Sequence, residues 1–211
     1  MGENYQLKLD KEIQRITAKS WRPRLLLHVC CAPCSSYVIE YLSQYFDITA
    51  CFYNPNISPM SEYDYRAQEL IRLTEQMPIP YPVLCRIEDY NPSAFLAIAK
   101  GLENEPEGGK RCTACYRLRL TETAKIAAQE GYDYFTTTLS ISPLKDAVRL
   151  NTIGGELAQE YHVPYLYSDF KKREGYKRSI QLSAEYNLYR QDYCGCAFSK
   201  AEAEKRKQNK N

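Results

Sequence analysis

Apolar positions along the chain fall into short solid runs, separated by longer stretches in which they recur every three or four residues. The solid runs predict buried strands. They are "RLLLHVC" from Arg24, "FDITACFYNPNI", "YPVLC", "YDYFTTTLSISP" and the strand-like "VPYLYSDF". Asn-Pro ends the second run and Ser-Pro ends the fourth, and both pairs are turn signals. The periodic stretches predict helices. "SSYVIEYLSQY" has Ser35 or Ser36 as its N-cap. "SEYDYRAQELIRLTEQM", opened by Ser61, places Tyr65, Leu70, Leu73 and Met77 on one face. "NPSAFLAIAKGL" is shorter, "CTACYRLRLTETAKIAAQEG" is long and closes at Gly131, and "AVRLNTIGGELAQEYH" is expected to break at Gly154 and Gly155. "RSIQLSAEYNLY" completes the series.

Strand and helix alternate about five times without an internal repeat. That alternation predicts an α/β fold of three layers around a mostly parallel sheet. Residues 1–22 are expected to form a polar extension, helical across "KLDKEIQRITAK". Residues 23–199 are expected to form a single α/β catalytic domain, and 200–211 a charged tail that frays.

Composition narrows the setting more than the function. The 211 residues are 44% hydrophobic with a formal net charge of +2, so no global field points to nucleic acid and any RNA contact must come from local basic clusters. No apolar run approaches the roughly 20 residues of a membrane helix, and the N-terminal stretch does not resemble a signal peptide. The expected location is cytoplasmic, with no membrane partner. The 19 tyrosines serve either packing or stacking on bases.

In a reducing compartment nine cysteines point away from a disulfide framework and toward metal or redox chemistry. Cys51 falls in a strand and is expected in the core; Cys85 closes a strand and is ambiguous. Cys30 and Cys31 sit at the end of the first predicted strand, the side on which ligands bind in such sheets. Cys112 and Cys115 form Cys-x-x-Cys at a helix start, where amide groups favour thiolate. Four thiolates from two segments can hold an iron–sulfur cluster or zinc, or act as a thiol pair. Adjacent cysteines splay apart, which suits two irons of a cubane better than one tetrahedral zinc. Cys34 is either a spare thiol or a ligand to a second metal. Cys194-Gly-Cys196 is either a strained, easily reduced pair or two unremarkable thiols. His28 is either a satisfied strand histidine or a proton donor.

"HVCCAPCSSYVIEYL", "CTACYRLRLTETAKIA", "FTTTLSISP" and "YCGCAFS" together resemble the epoxyqueuosine reductase family QueH, over about residues 24 to 199. The resemblance implies a fold similar to the adenine-nucleotide alpha hydrolase-like (HUP, Rossmann-like) group. It implies a cytoplasmic oxidoreductase that reduces the epoxide of epoxyqueuosine in the tRNA anticodon, the last step of queuosine formation. By the same resemblance Cys30, Cys31, Cys112 and Cys115 hold a [4Fe–4S] cluster, and Cys194 and Cys196 are a redox-active disulfide pair. Cys34 is the candidate for an adjacent mononuclear iron. The partners implied are tRNA carrying epoxyqueuosine and an unidentified electron donor. The short chain has no recognisable cobalamin module. The basic run "KKREGYKR" offers Lys171, Lys172, Arg173, Lys177 and Arg178 to tRNA phosphates. "TTTLSISP" offers hydroxyls either to a sugar or to strand packing.

Two other functions compete. An ATP-dependent tRNA-modifying enzyme of the pyrophosphatase-like fold needs a glycine-rich phosphate loop where this chain has "CCAPCSS". A metal-stabilised RNA-binding module needs no catalysis at all.

Overall fold

Leu25, Leu26 and Leu27 are all fully buried, so both faces of the strand that carries them are covered. In a computed structural model, which describes residues 3–208, this strand is the interior of a four-stranded sheet of order β3-β2-β1-β4. The strands are β1 Arg24–His28, β2 Asp47–Phe52, β3 Leu84–Ile87 and β4 Tyr134–Thr137. All pairings are parallel, with Leu26 opposite Thr49 on one side and Phe135 on the other. The period of two then sorts the core. Leu25 and Leu27 face one hydrophobic cluster with Val38, Leu42, Leu70 and Leu73, while Leu26 faces a second with Leu120, Ala124, Leu150 and Leu157. Each fully buried leucine contributes about 1.5–3 kcal/mol. Two helix layers with a parallel sheet between them are the expected three-layer α/β architecture.

The helices are α1 Tyr5–Ala18, α2 Ala32–Leu42, α3 Met60–Gln76, α4 Pro92–Ala99, α5 Lys110–Gln129, α6 Ala147–Tyr161, α7 Gly175–Glu185 and α8 Ala197–Gln208. The N-terminal segment expected as a polar extension carries α1, whose Leu9, Ile13 and Ile16 enter the first core cluster. Asn4 caps it by accepting from the Leu7 amide at 3.1 Å. Four of the five expected strands form. The fifth, at "VPYLY", is reduced to one parallel bridge between Phe135 and Tyr165.

Three local expectations are corrected. Cys31, not Ser35 or Ser36, is the N-cap of α2, with extended backbone, and the two serine hydroxyls donate back to the Cys31 and Pro33 carbonyls at 2.8 and 3.0 Å. Tyr65 is largely exposed, and the buried face of α3 is Tyr63, Arg66, Ala67, Leu70 and Leu73. Helix α6 runs unbroken through Gly154 and Gly155, and position 154 is glycine because a Cβ there would meet the Tyr165 ring at 2.4 Å. The glycine admits the ring that tethers the fifth segment to β4.

Gly131, at φ +67°, closes α5 as expected. The charged tail carries α8, which buries Ala203; its last three residues, 209–211, lie outside the described residues. Among the described residues no helix is long and apolar enough to cross a membrane.

Candidate active site

Every cysteine singled out for chemistry stands beyond the carboxyl edge of the sheet or at a helix start beside it. Cys30 and Cys31 occupy the turn from β1 into α2, and Cys34 lies in the first turn of that helix. A helix N-terminus offers unpaired amides and a partial positive charge, which favours thiolate. The sulfurs of Cys30, Cys31 and Cys34 all lie within 4.8 Å of one another, so these three form a group that can hold a metal ion. The sequence grouped Cys30 and Cys31 with the distant Cys-x-x-Cys and left Cys34 as a spare thiol or second-metal ligand; here Cys34 stands in one tight group with the first two.

The trio shares its protons unequally. Cys31 is held well below the ordinary thiol range by hydrogen bonds from Cys30 and Cys34, helped by the Arg66 guanidinium. Cys30 is pushed up to about 12, chiefly by donating to Cys31, and Cys34 is raised well above its usual value by the same two sulfurs. A metal bound here would displace the protons that Cys30 and Cys34 hold, as thiolate ligation requires.

Cys112 and Cys115, on the first turns of α5, line an adjoining small pocket of about 20 Å³ together with Cys194 and Cys196. The Gly108 amide donates to Cys112 Sγ at 3.2 Å. Burial raises Cys112 and pushes Cys115 up to about 12. Cys194 also lines the large cavity, of about 360 Å³, whose wall carries Cys30, Cys31 and Cys34. The two chambers thus share one cysteine.

Both Cys194 and Cys196 are free thiols here. Their loop is held firmly. Gly195 has φ +125°, Ser58 N–H donates to its carbonyl at 3.0 Å, and Arg66 donates to the Cys194 carbonyl at 3.2 Å. A Cβ on Gly195 would stand 3.0 Å from Ile57 Cγ1 and 3.1 Å from Arg66 Nη1.

Buried cations surround these sulfurs, and sequence reading had assigned them no role. Arg66, 1% exposed, pairs with Glu62 at 2.7 Å. Arg119, also 1% exposed, donates to the Cys115 carbonyl and to Asn54 Oδ1, both at 3.3 Å, and its buried Nη2 has no hydrogen-bond partner among the described residues. An unpaired guanidinium nitrogen beside buried thiols fits an anionic thiolate–metal group placed there. Lys145 lies in the wall of the large cavity, 8% exposed. The signal that could have found Arg119 was the Cys-Tyr-x-x-Arg spacing; for Lys145 it was its place two residues after Ser142-Pro143, in the loop between β4 and α6.

Other expectations resolve toward packing. His28 is fully buried, with Nδ1 against Thr137 Oγ1 at 2.9 Å and Nε2 donating to the Tyr53 carbonyl at 3.2 Å. Burial, then Arg119, lowers it to about 3, so it is a neutral, satisfied histidine. Thr136 donates to the Leu166 carbonyl at 2.8 Å, so its hydroxyl is spent inside the fold. Cys51 is in the core, and Cys85 lies against Thr74 Oγ1 at 3.2 Å, on β3.

The basic run is largely engaged. Lys171 turns inward to Asp169 at 3.0 Å and the Ser140 carbonyl at 3.1 Å. Arg173 pairs with Asp10, Arg178 with Glu40, and Lys177 with Glu174 at 3.2 Å. Among the described residues only Lys172 of the five has no ion-pair partner.

Residues 25–202 match the family model described as Epoxyqueuosine reductase QueH. The chain is 45% identical over 206 residues to the protein named Epoxyqueuosine reductase QueH in Staphylococcus epidermidis, covering 93% of this chain and 86% of that one. It is 42% identical over 210 residues to the protein of that name in Streptococcus pyogenes, covering 94% and 80%. For the protein of that name in Thermotoga maritima the identity is 34% over 178 residues, covering 83% and 89%. The chain belongs to the QueH family. Its matched span begins inside β1 and reaches into α8, so all seven cysteines of the two chambers lie within the QueH portion.

Proposed function

We propose that this chain is an epoxyqueuosine reductase acting on tRNA: it removes the epoxide oxygen of epoxyqueuosine as water, consuming two electrons and two protons. The observation that carries this reading is a substrate-sized cavity at the carboxyl edge of the sheet with the sulfurs of Cys30, Cys31 and Cys34 in its wall. In this reading Cys30, Cys31, Cys112 and Cys115 are the ligands of a [4Fe–4S] cluster, Cys34 serves an adjacent mononuclear iron, and Cys194 and Cys196 cycle between dithiol and disulfide. When bound, such centres pass electrons singly and offer a Lewis acid to the epoxide oxygen. Their net negative charge is what the unpaired Nη2 of Arg119 and the buried Arg66 are placed to offset.

The protein's own part is to hold, orient and exclude. Helix α2 and the strapped Gly195 loop fix the sulfurs from two sides. Tyr176 and Tyr193, both on the cavity wall, give a flipped base aromatic faces to lie against. Lys172 meets tRNA phosphate directly, Arg173, Lys177 and Arg178 do so by exchanging their carboxylate partners, and Lys171 braces the loop beneath them. A low-potential one-electron carrier is the donor, and no cobalamin takes part.

The test is anaerobic reconstitution with iron and sulfide, then incubation with epoxyqueuosine-containing tRNA and dithionite, read by nucleoside mass spectrometry. Queuosine formed without added cobalamin is the expected result. Colourless, zinc-binding protein that leaves the epoxide intact refutes the reading.

A further inference from the structure

Opening a C–O bond with electrons leaves negative charge on oxygen, and that oxygen must be met by a cation or a proton. A bound iron would offset the charge but brings no proton, and the side chains nearest the sulfurs do not provide one. His28 is neutral with both ring nitrogens engaged, and Arg119 and Arg66 do not line the large cavity. Two cations do line it. Arg190 is exposed and turned to Ser183 Oγ at 3.0 Å, whereas the Lys145 side chain is only 7% exposed.

Lys145 is also held in place. Its amide donates to the Ser142 carbonyl at 3.1 Å, and its carbonyl accepts from Lys171 Nζ at 3.4 Å. Its ammonium stands 3.7 Å from Glu107 Oε1, beyond hydrogen-bond length, so Glu107 balances the charge without consuming a donor. Burial alone would push Lys145 down, but the Cys194 thiol, Tyr116 and Glu107 hold it above the usual lysine range. It is therefore an ammonium at neutral pH, in the wall of the same cavity that carries the cysteine trio.

We propose that Lys145 is a catalytic residue of the epoxide reduction, its ammonium sitting at the epoxide oxygen and giving that oxygen its first proton. This rests on the reductase reading above. One C–O bond breaks as two electrons enter, one from each of two equivalents of the low-potential carrier, leaving an electron pair on carbon and an alkoxide. The alkoxide, a far stronger base than an amine, takes a proton from Lys145 and becomes a hydroxyl. The carbon electron pair then forms the double bond and expels that hydroxyl as hydroxide, which takes a second proton from solvent and leaves as water. Lys145, now neutral, regains its proton from solvent at the open mouth of the cavity. A preorganised cation in a partly desolvated wall is the arrangement that stabilises a developing oxyanion.

The experiment uses the full chain, reconstituted anaerobically, in single-turnover reduction of epoxyqueuosine-containing tRNA. For Lys145→Ala the expected rate falls at least ~100-fold, the scale of general acid catalysis. Iron content, visible absorbance and tRNA affinity stay within about twofold of the parent. Ethylammonium is expected to restore part of the Lys145→Ala rate in proportion to its concentration. Lys145→Arg keeps the charge but holds its proton too tightly, and is expected to recover less than the amine does. Lys145→Met, close in shape, replaces the alanine variant if that one does not fold. A rate within about threefold of the parent overturns the assignment; so does a loss that parallels lost iron, or one that parallels lost tRNA affinity without amine rescue. Failure of the unmodified protein to form queuosine refutes the reductase reading instead, and is read before any variant.

Discussion

Replacing Gly195 with alanine tests how the Cys194–Cys196 loop is held. At φ +125° an L side chain costs about 1–3 kcal/mol in backbone strain. The new Cβ would sit 3.0 Å from Ile57 Cγ1 and 3.1 Å from Arg66 Nη1, so both side chains must give way. Displacing Arg66 loosens its 3.2 Å bond to the Cys194 carbonyl, worth about 1 kcal/mol. The sum is about 2–4 kcal/mol, which multiplies the open population of the loop by roughly 30 to 1,000. The two large core clusters do not include the loop, so the strain is relieved by local opening rather than global unfolding. The assay is a pulse of N-ethylmaleimide on the reduced, metal-free protein, followed by peptide mass spectrometry. Cys196, 7% exposed, should be alkylated at least ~30-fold faster in Gly195→Ala, while the core thiol Cys51 stays unmodified in both proteins. Equal labelling of Cys196 in the two proteins would refute the strapped-loop reasoning.

Three further outcomes are expected. Gly154→Ala forces the Tyr165 ring off α6 and should destabilise the fold by about 2–4 kcal/mol in urea titration, with the change concentrated in exchange of the Leu166 amide, which donates to Phe135 O at 2.9 Å. Arg119→Met removes a buried positive charge beside the cysteines, so the midpoint of the proposed iron–sulfur cluster should move to more negative potential by on the order of 100 mV in a redox titration of the reconstituted protein. Burial pushes Cys51 up to about 12, so the folded chain keeps its proton where the unfolded chain, with a thiol near 9, loses it. Its contribution is whole below pH 9 and decays as pH rises toward 12, and Cys51→Ala should flatten that decline in stability measured across the same range.

The fold was legible because its signals are periodic and local. Leu25 to Leu27 announce a strand buried on both faces, and Cys30, following them, had to lie at the carboxyl edge. What the sequence concealed depends on partners far along the chain. Gly154 and Gly155 look like breaks in a helix until Tyr165 is brought over the first of them. Ser35 and Ser36 look like N-caps, but the extended Cys31 fills that place and their hydroxyls turn back to carbonyls. The N-terminal segment has few apolar residues, yet Leu9 and Ile16 fall on one face of α1 and meet a core contributed by other elements. In the site, spacing put Cys30 and Cys31 at the sheet edge but left Cys34 unassigned, and only the turn into α2 draws the three sulfurs together. The cations were harder to read: Arg119 is marked only by the Cys-Tyr-x-x-Arg spacing and Lys145 only by its place after a Ser-Pro pair, and nothing local marks Arg66 as buried.

The pairing of Arg173 with Asp10 and of Arg178 with Glu40 ties α7 and the loop before it to α1 and α2 across the molecular surface. A polyanion arriving at this face meets cations already neutralised by the protein. Each phosphate gained there sets a carboxylate free instead of releasing a small counterion from the protein. The dependence of RNA affinity on salt concentration should therefore be shallower than five positive charges imply, and binding should loosen the clasp of α1 and α2 on α7 and the loop before it.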